Sequence, residues 1–134
     1  MLLINARVGP SSIQGLGLIA QQFIPAGTIV WSFVEGFDVE IPESFLQSLS
    51  EPARAQLIHY AEHFATKNHF VLSGDDDRFT NHSDMPNTRQ RDEGGAYPVV
   101  IAILDICAGE EITCDYREVR CLSFIPGIPH ESCA

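Results

Sequence analysis

A chain of 134 residues, 45% of them hydrophobic, is one soluble globular domain with a single real core. Its net charge of −10, from 18 acidic against 8 basic residues, argues against a nucleic-acid surface and suits a basic partner such as a lysine-rich peptide, with ordinary acidic solubility as an equal explanation. The longest apolar run, 99–104, is far too short to span a membrane, the first five residues lack the features of a signal peptide, and four cysteines without Cys-x-x-Cys spacing read as free thiols, so an intracellular, cytoplasmic (in a eukaryote, nuclear) location is expected.

Residues 2–8 form a short apolar run that predicts a strand, and Gly9-Pro10-Ser11-Ser12 a turn. Residues 16–23 predict a second strand closed by Pro25-Ala26-Gly27, and 28–34, β-branched and aromatic, a third. The period then changes: Phe45, Leu46, Leu49, Ala53, Leu57, Tyr60, Ala61 and Phe64 recur at helical steps across 42–65. Pro42 and Pro52 both suit a first helical turn, so two short helices are expected there, ended by Asn68. A strand at 69–72 precedes the acidic turn 74–77, which lacks the spacing of a calcium loop. Residues 88–90 predict a short strand, 91–95 a hairpin turn, and 96–104, nearly continuous in apolar residues, a buried strand. Residues 113–116 predict a last short strand, and the Pro-containing end an irregular tail.

Between these elements lies Arg78-Phe79-Thr80-Asn81-His82-Ser83-Asp84-Met85-Pro86-Asn87, built like neither strand nor helix. Phe79 and Met85 are apolar, so part of this loop is expected to face inward, with Asn81, His82 and Ser83 satisfying its polar groups. A second stretch, Ile106-Cys107-Ala108-Gly109-Glu110-Glu111-Ile112-Thr113-Cys114-Asp115-Tyr116, reads as a turn leading into a strand, and a third, Ser12-Ile13-Gln14-Gly15-Leu16-Gly17-Leu18, as a flexible loop. Taken in order, the three resemble the SET-domain family of protein lysine methyltransferases, whose members carry an early Gly-x-Gly, an Arg-Phe-x-Asn-His-Ser-x-x-Pro-Asn loop and a later Gly-Glu-Glu-Leu-Thr-x-Asp-Tyr strand. The resemblance runs from about Ile4 to Glu118 in the family's order and spacing. Gly-x-Gly is unspecific; the other two motifs are long and specific.

The resemblance implies a mostly β fold: several small curved sheets, a short helical insert at about 42–65 that shapes the peptide groove, and a threaded C-terminal segment, with the domain at 1–118 and a tail at 119–134. It also implies S-adenosyl-L-methionine as cofactor and a lysine-containing basic protein, histone-like for example, as substrate, with neither nucleic acid nor membrane as partner. Tyr116 corresponds to the catalytic tyrosine that orients the amine and the methyl group; spacing alone would make it a tyrosine closing a strand. Asn81 and His82 correspond to the cofactor-binding pair, the first through its side chain and the second mainly through its backbone, and both also suit internal bracing of the loop. Gly15 and Gly17 correspond to glycines that admit the cofactor's methionine end. Cys114 and Phe79 fall along the substrate channel, Phe79 also suiting simple packing on the loop's buried side.

Zinc-dependent SET proteins place a cysteine after Asn-His-Ser and three more in a C-terminal cluster. Here the first position is Asp84, and only Cys121 and Cys133 follow Tyr116, so no four-ligand zinc site is expected. Phe124, the tail's only aromatic residue, is then a candidate to cover the adenine, or simply a residue buried on the domain surface. A rival motif is His59-Tyr60-Ala61-Glu62-His63, the H-x-x-E-H pattern of inverted zinc peptidases, which on a helix would set His59 and His63 on one face with Glu62 to activate water. Solvent-facing helical histidines are the preferred reading, since such peptidases need a third ligand well downstream and a larger domain. A third possibility is a SET-fold binding module without catalysis. The position two before the tyrosine, commonly Phe or Tyr in the family, is Cys114, smaller than either; this predicts room for an amine already carrying methyl groups.

Overall fold

The computed structural model describes residues 1–119; Phe124, Cys121, Cys133 and the rest of the tail lie outside the described residues. In chain order the elements are β1 (Ala6–Pro10), β2 (Leu16–Ala20), β3 (Ile29–Trp31), β4 (Val39–Pro42), α1 (Glu51–Tyr60), β5 (Glu62–Phe64), β6 (His69–Leu72), β7 (Asn81–His82), β8 (Thr88–Arg91), β9 (Val99–Ala102), β10 (Glu111–Cys114) and α2 (Tyr116–Val119), with short 3₁₀ turns at Glu43–Ser48, Ala65–Lys67 and Asp76–Phe79. They form three small sheets, ordered β1-β2-β10-β7, β3-β9-β8 and β4-β6-β5. The mostly β architecture with a short helical insert is as the sequence predicts.

One core joins the first two sheets. Leu18, Ile24, Val30, Trp31, Ala102, Ile106 and Ile112 are all but completely buried there. A second, smaller cluster of Leu57, Ala61 and Phe70 fastens α1 to the β4-β6-β5 sheet. Asp38, also buried, ties loops together: its carboxylate accepts from the Val34 and Gly74 backbone amides and from the Met1 amino group.

Several elements differ from expectation. The first strand starts at Ala6 and runs into the first half of the predicted turn, ending at Pro10, so that Gly9 pairs with Gly17. β2 stops at Ala20, leaving Phe23 54% exposed. The insert holds one α-helix, capped by the Ser50 side chain accepting from the Ala53 amide and carrying Pro52 in its first turn, while Pro42 ends a strand and leads only into a 3₁₀ turn. The helix stops at Tyr60 because Ala61 turns extended (φ −84°, ψ 148°) and the chain folds back as β5, with Phe64 opposite His69. Asn68 adopts the left-handed conformation (φ 52°) that turns this hairpin. The strand predicted at 96–104 covers only Val99–Ala102; Ile103 and Leu104 are exposed. The last strand ends at Cys114, and Tyr116 opens a helical turn instead of closing the strand.

Candidate functional site

The two long motifs meet in β7 and β10. These strands run parallel, with Thr113 opposite Asn81 and Cys114 opposite His82. A two-residue strand is too short to hold itself, and side chains complete the junction. The Ser83 amide donates to the Cys114 carbonyl (2.9 Å). Asn87 acts as a surrogate strand residue: its Nδ2 donates to the Glu111 carbonyl (2.8 Å) and its Oδ1 accepts from the Thr113 amide (2.8 Å). Thr88 donates its hydroxyl proton to the Thr113 carbonyl (2.7 Å) inside the core. Polar side chains thus satisfy the backbone that regular pairing would otherwise satisfy. The loop's apolar residues divide: Phe79 packs edge-on against Tyr60 with ring centroids 5.6 Å apart, whereas Met85, expected to face inward, is 88% exposed at the tip of a turn closed by the Ser83 hydroxyl.

Asn81 points away from β10's core side toward the early glycine loop. Its Nδ2 lies within hydrogen-bond distance of the Gln14 and Leu16 carbonyls (3.2 and 2.9 Å), the Ser11 hydroxyl (3.1 Å) and the Glu111 carboxylate (2.9 Å). The bracing role is therefore present in the fold. Gly15 and Gly17, next to it, are glycines for different reasons. Gly15 has φ +49° and open space where a Cβ would stand; a Cβ on Gly17 would strike the Glu111 carboxylate.

His82 joins the motifs at their far end. Its Nδ1 accepts from the Tyr116 backbone amide (3.1 Å), which assigns the ring proton to Nε2, facing Asp84 Oδ1 at 3.1 Å. Its ring lies 5.4 Å from that of Tyr116. The Tyr116 hydroxyl donates to the Thr80 carbonyl (2.8 Å), so the last residue of one motif is anchored on the other. Arg117 grips Asp115 through Nε (2.9 Å) and Nη2 (2.9 Å) and holds that carboxyl below its ordinary range despite partial burial, with His82 adding slightly.

Beside this junction opens a small pocket, with about 30 Å³ of room inside a mouth continuous with solvent. Tyr60, Asp77, Arg78, Thr80, Cys114 and Val119 are among the residues lining it; Phe79, assigned with Cys114 to the channel, is not, and neither are Tyr116, Asn81, His82, Gly15 and Gly17. Burial pushes the Asp77 carboxyl up to about 6; the Ser73 hydroxyl on Oδ2 (3.0 Å) partly offsets this, while Asp75 and Asp38 add to it. The Arg78 Nε atom is buried with no hydrogen-bond partner among the described residues.

The zinc-peptidase geometry does not form. α1 ends at Tyr60, so His59 lies on the helix while His63 lies on β5, its side chain only 6% exposed, paired with Glu43 and tilted on the Phe70 ring at 4.7 Å. His63 is thus neither helical nor solvent-facing, and among the described residues no three His, Cys, Asp or Glu side chains stand together as a metal ligand set. Sequence reasoning assigned no role to Thr80, Asn87 or Glu111, all of which hold the junction. Their membership in the two long motifs was the available signal.

A family model described as SET domain matches residues 15–117. No curated protein matches the sequence. Among solved structures, a Plasmodium falciparum protein described as a candidate histone methyltransferase superposes with a TM-score of 0.56 at 23% identity, over 86% of this chain and 95% of that one. ctPRC2, in an autoinhibited conformation bound to S-adenosylmethionine, superposes with a TM-score of 0.65 at 19% identity, over 90% of this chain but 16% of that one. At these identities the likeness establishes the fold.

Proposed function

Because the chain belongs to the SET-domain family, we propose that it transfers a methyl group from S-adenosylmethionine to the side-chain amine of a lysine in a basic, histone-like protein. The observation that carries this reading is the pairing of Thr113 with Asn81 and Cys114 with His82, which brings the cofactor-type loop and the tyrosine-bearing segment into one junction beside a cavity. The residues present suit such a donor. Gly15 leaves its backbone open to close approach, Asn81 braces the turn around it, and His82 is fixed in one tautomer. When bound, the donor supplies an electrophilic methyl group on a sulfonium whose charge favours a neutral amine nearby.

The chain's own residues then have three tasks. The first is orientation. Held by its bond to the Thr80 carbonyl, the Tyr116 hydroxyl oxygen would accept from an N–H of the incoming amine. The second is to gather the substrate. Asp77 and Glu62 line the cavity and attract a cationic side chain. The third is to exclude water, since an ordinary lysine of pKa about 10.4 costs about 4.6 kcal/mol to deprotonate at pH 7 and desolvation reduces that cost. Cys114, lining the cavity, leaves width for an amine that already carries methyl groups.

Incubation with labelled S-adenosylmethionine and a panel of basic proteins including histones tests the reading, alongside calorimetric titration of the cofactor. Label on protein supports methyl transfer. Cofactor binding without label on any acceptor would favour the rival, a SET-fold binding module without catalysis.

A further inference from the structure

We infer that Glu111 is a positioning residue of the site: with Ser11 it forms a clasp that holds the glycine loop in the shape that receives the methyl donor. The inference rests on the S-adenosylmethionine reading. Glu111 stands on β10 opposite Ile19 of β2, and its side chain reaches across Gly17 to the turn that precedes that strand. Both carboxylate oxygens accept from the Ser11 hydroxyl (2.8 and 2.9 Å), and Oε1 also accepts from Asn81 Nδ2 (2.9 Å).

A hydroxyl has one proton and two lone pairs. The carboxylate takes the Ser11 proton, which turns the lone pairs toward the N–H donors around it: the backbone amides of Ile13 (2.9 Å) and Gln14 (3.2 Å), with Asn81 Nδ2 at 3.1 Å. The Ser11 amide closes the same turn on the Gly15 carbonyl (2.9 Å). One charged group thus fixes Ser11, through Ser11 the turn that carries Gly15, and it helps orient Asn81, whose two Nδ2 protons are shared among Glu111 and the Gln14 and Leu16 carbonyls. Hydrogen bonds to an ionised acceptor are the stronger kind, so the clasp is firmer than neutral contacts of the same geometry. Gly17 completes the argument: a Cβ there would meet the Glu111 carboxylate carbon at 2.8 Å and Asn81 Nδ2 at 3.1 Å, so the missing side chain is the passage the clasp runs through. Glu111 touches no reacting atom in this scheme; it acts through Ser11 and Asn81.

The test compares wild type with Glu111→Ala, Glu111→Gln and Ser11→Ala, with Ile24→Val as a core control distant from the loop. Hydrogen exchange at the Ile13 and Gln14 amides is measured without ligand, and affinity for S-adenosylmethionine by calorimetry. Glu111→Ala and Ser11→Ala should speed exchange at both amides and weaken the cofactor, each by about tenfold. Glu111→Gln, with the same reach and one acceptor oxygen, should recover part of both. Ile24→Val should lower the melting temperature and change neither. Unchanged exchange and affinity in Glu111→Ala and Ser11→Ala would overturn the inference, as would a loss of melting temperature alone. If Glu111→Ala does not fold, Ser11→Ala carries the comparison. If wild type binds no S-adenosylmethionine, the donor reading fails, and the exchange data still decide the clasp.

Discussion

Replacing Tyr116 with Phe separates the hydroxyl from everything else the residue does. The ring is half-buried and sits 5.4 Å from the His82 ring, and both contacts survive the change. What is lost is one hydrogen bond, from the hydroxyl to the Thr80 carbonyl at 2.8 Å in a partly buried setting. That bond contributes about 1 kcal/mol to stability, so the melting temperature should fall by about 3–6 °C, with the fold kept. Calorimetry should find cofactor affinity unchanged within about twofold, since the cofactor groups assigned to Gly15, Asn81 and His82 remain; a twofold change is about 0.4 kcal/mol. Turnover should behave differently. Without the hydroxyl nothing at Thr80 orients the amine, and a mispositioned reactant costs about 100-fold in rate. The assay is initial-rate label transfer at saturating cofactor on a folded variant. Near-normal methylation by Tyr116→Phe would refute the role given to Tyr116.

Asn81→Ala removes a nitrogen that contacts four acceptors, and should weaken S-adenosylmethionine by about 1–3 kcal/mol in a calorimetric titration; an unchanged dissociation constant in a folded variant would leave Asn81 as a brace without consequence for the cofactor. Cys114→Tyr places a bulky hydroxyl-bearing ring at the cavity wall, so mass spectrometry of a time course should shift from di- or trimethyllysine toward monomethyllysine; a wild type that stops at one methyl group with cofactor in excess would mean another side chain closes the channel. Purified protein should hold no stoichiometric zinc and chelators should leave activity intact, while one zinc per chain lost together with activity would restore a metal role for His59 and His63. The Asp77 carboxyl has a folded pKa of about 6 against an ordinary 3.8, so the folded state binds more protons in that interval. Its contribution to stability is therefore fully present below about pH 4 and lost as pH rises through about 6. Asp77→Asn, which keeps an acceptor for Ser73, should gain on the order of 2 kcal/mol in urea unfolding at pH 8 and nothing at pH 3.5; an equal effect at both pH values would refute the assignment.

How much of this was legible in the sequence depends on how local each feature is. The strand at His69–Leu72 and the core position of Val99–Ala102 follow from apolar runs, and the helix at Glu51–Tyr60 from its period and from Pro52 in its first turn. β5 was hidden because three residues cannot display a period, and Ala61 and Phe64 continue the helical spacing after the helix has ended. β7 was hidden for the same reason: two residues become a strand only because β10, from a distant part of the chain, lies beside them. Pairing between segments so far apart leaves no local trace. The site divides likewise. Asn81, His82 and Tyr116 stood out by motif, but nothing in the sequence joins Ser11 to Glu111, which are 100 residues apart, or gives Asn87 the work of a strand. The expectation that Met85 faces inward failed because its hydrophobicity was outweighed by the turn that Ser83 closes beneath it.

The most direct test of lysine methyl transfer is the identity of the labelled residue. A basic protein labelled from S-adenosylmethionine by the wild-type chain is hydrolysed to amino acids, and the label is assigned by chromatography against methylated standards. The account predicts label in methyllysine, with the di- or trimethyl forms accumulating over time, and its loss with Tyr116→Phe. Label confined to arginine or to a base-labile ester, or no label on any acceptor while calorimetry finds the cofactor bound, would contradict it.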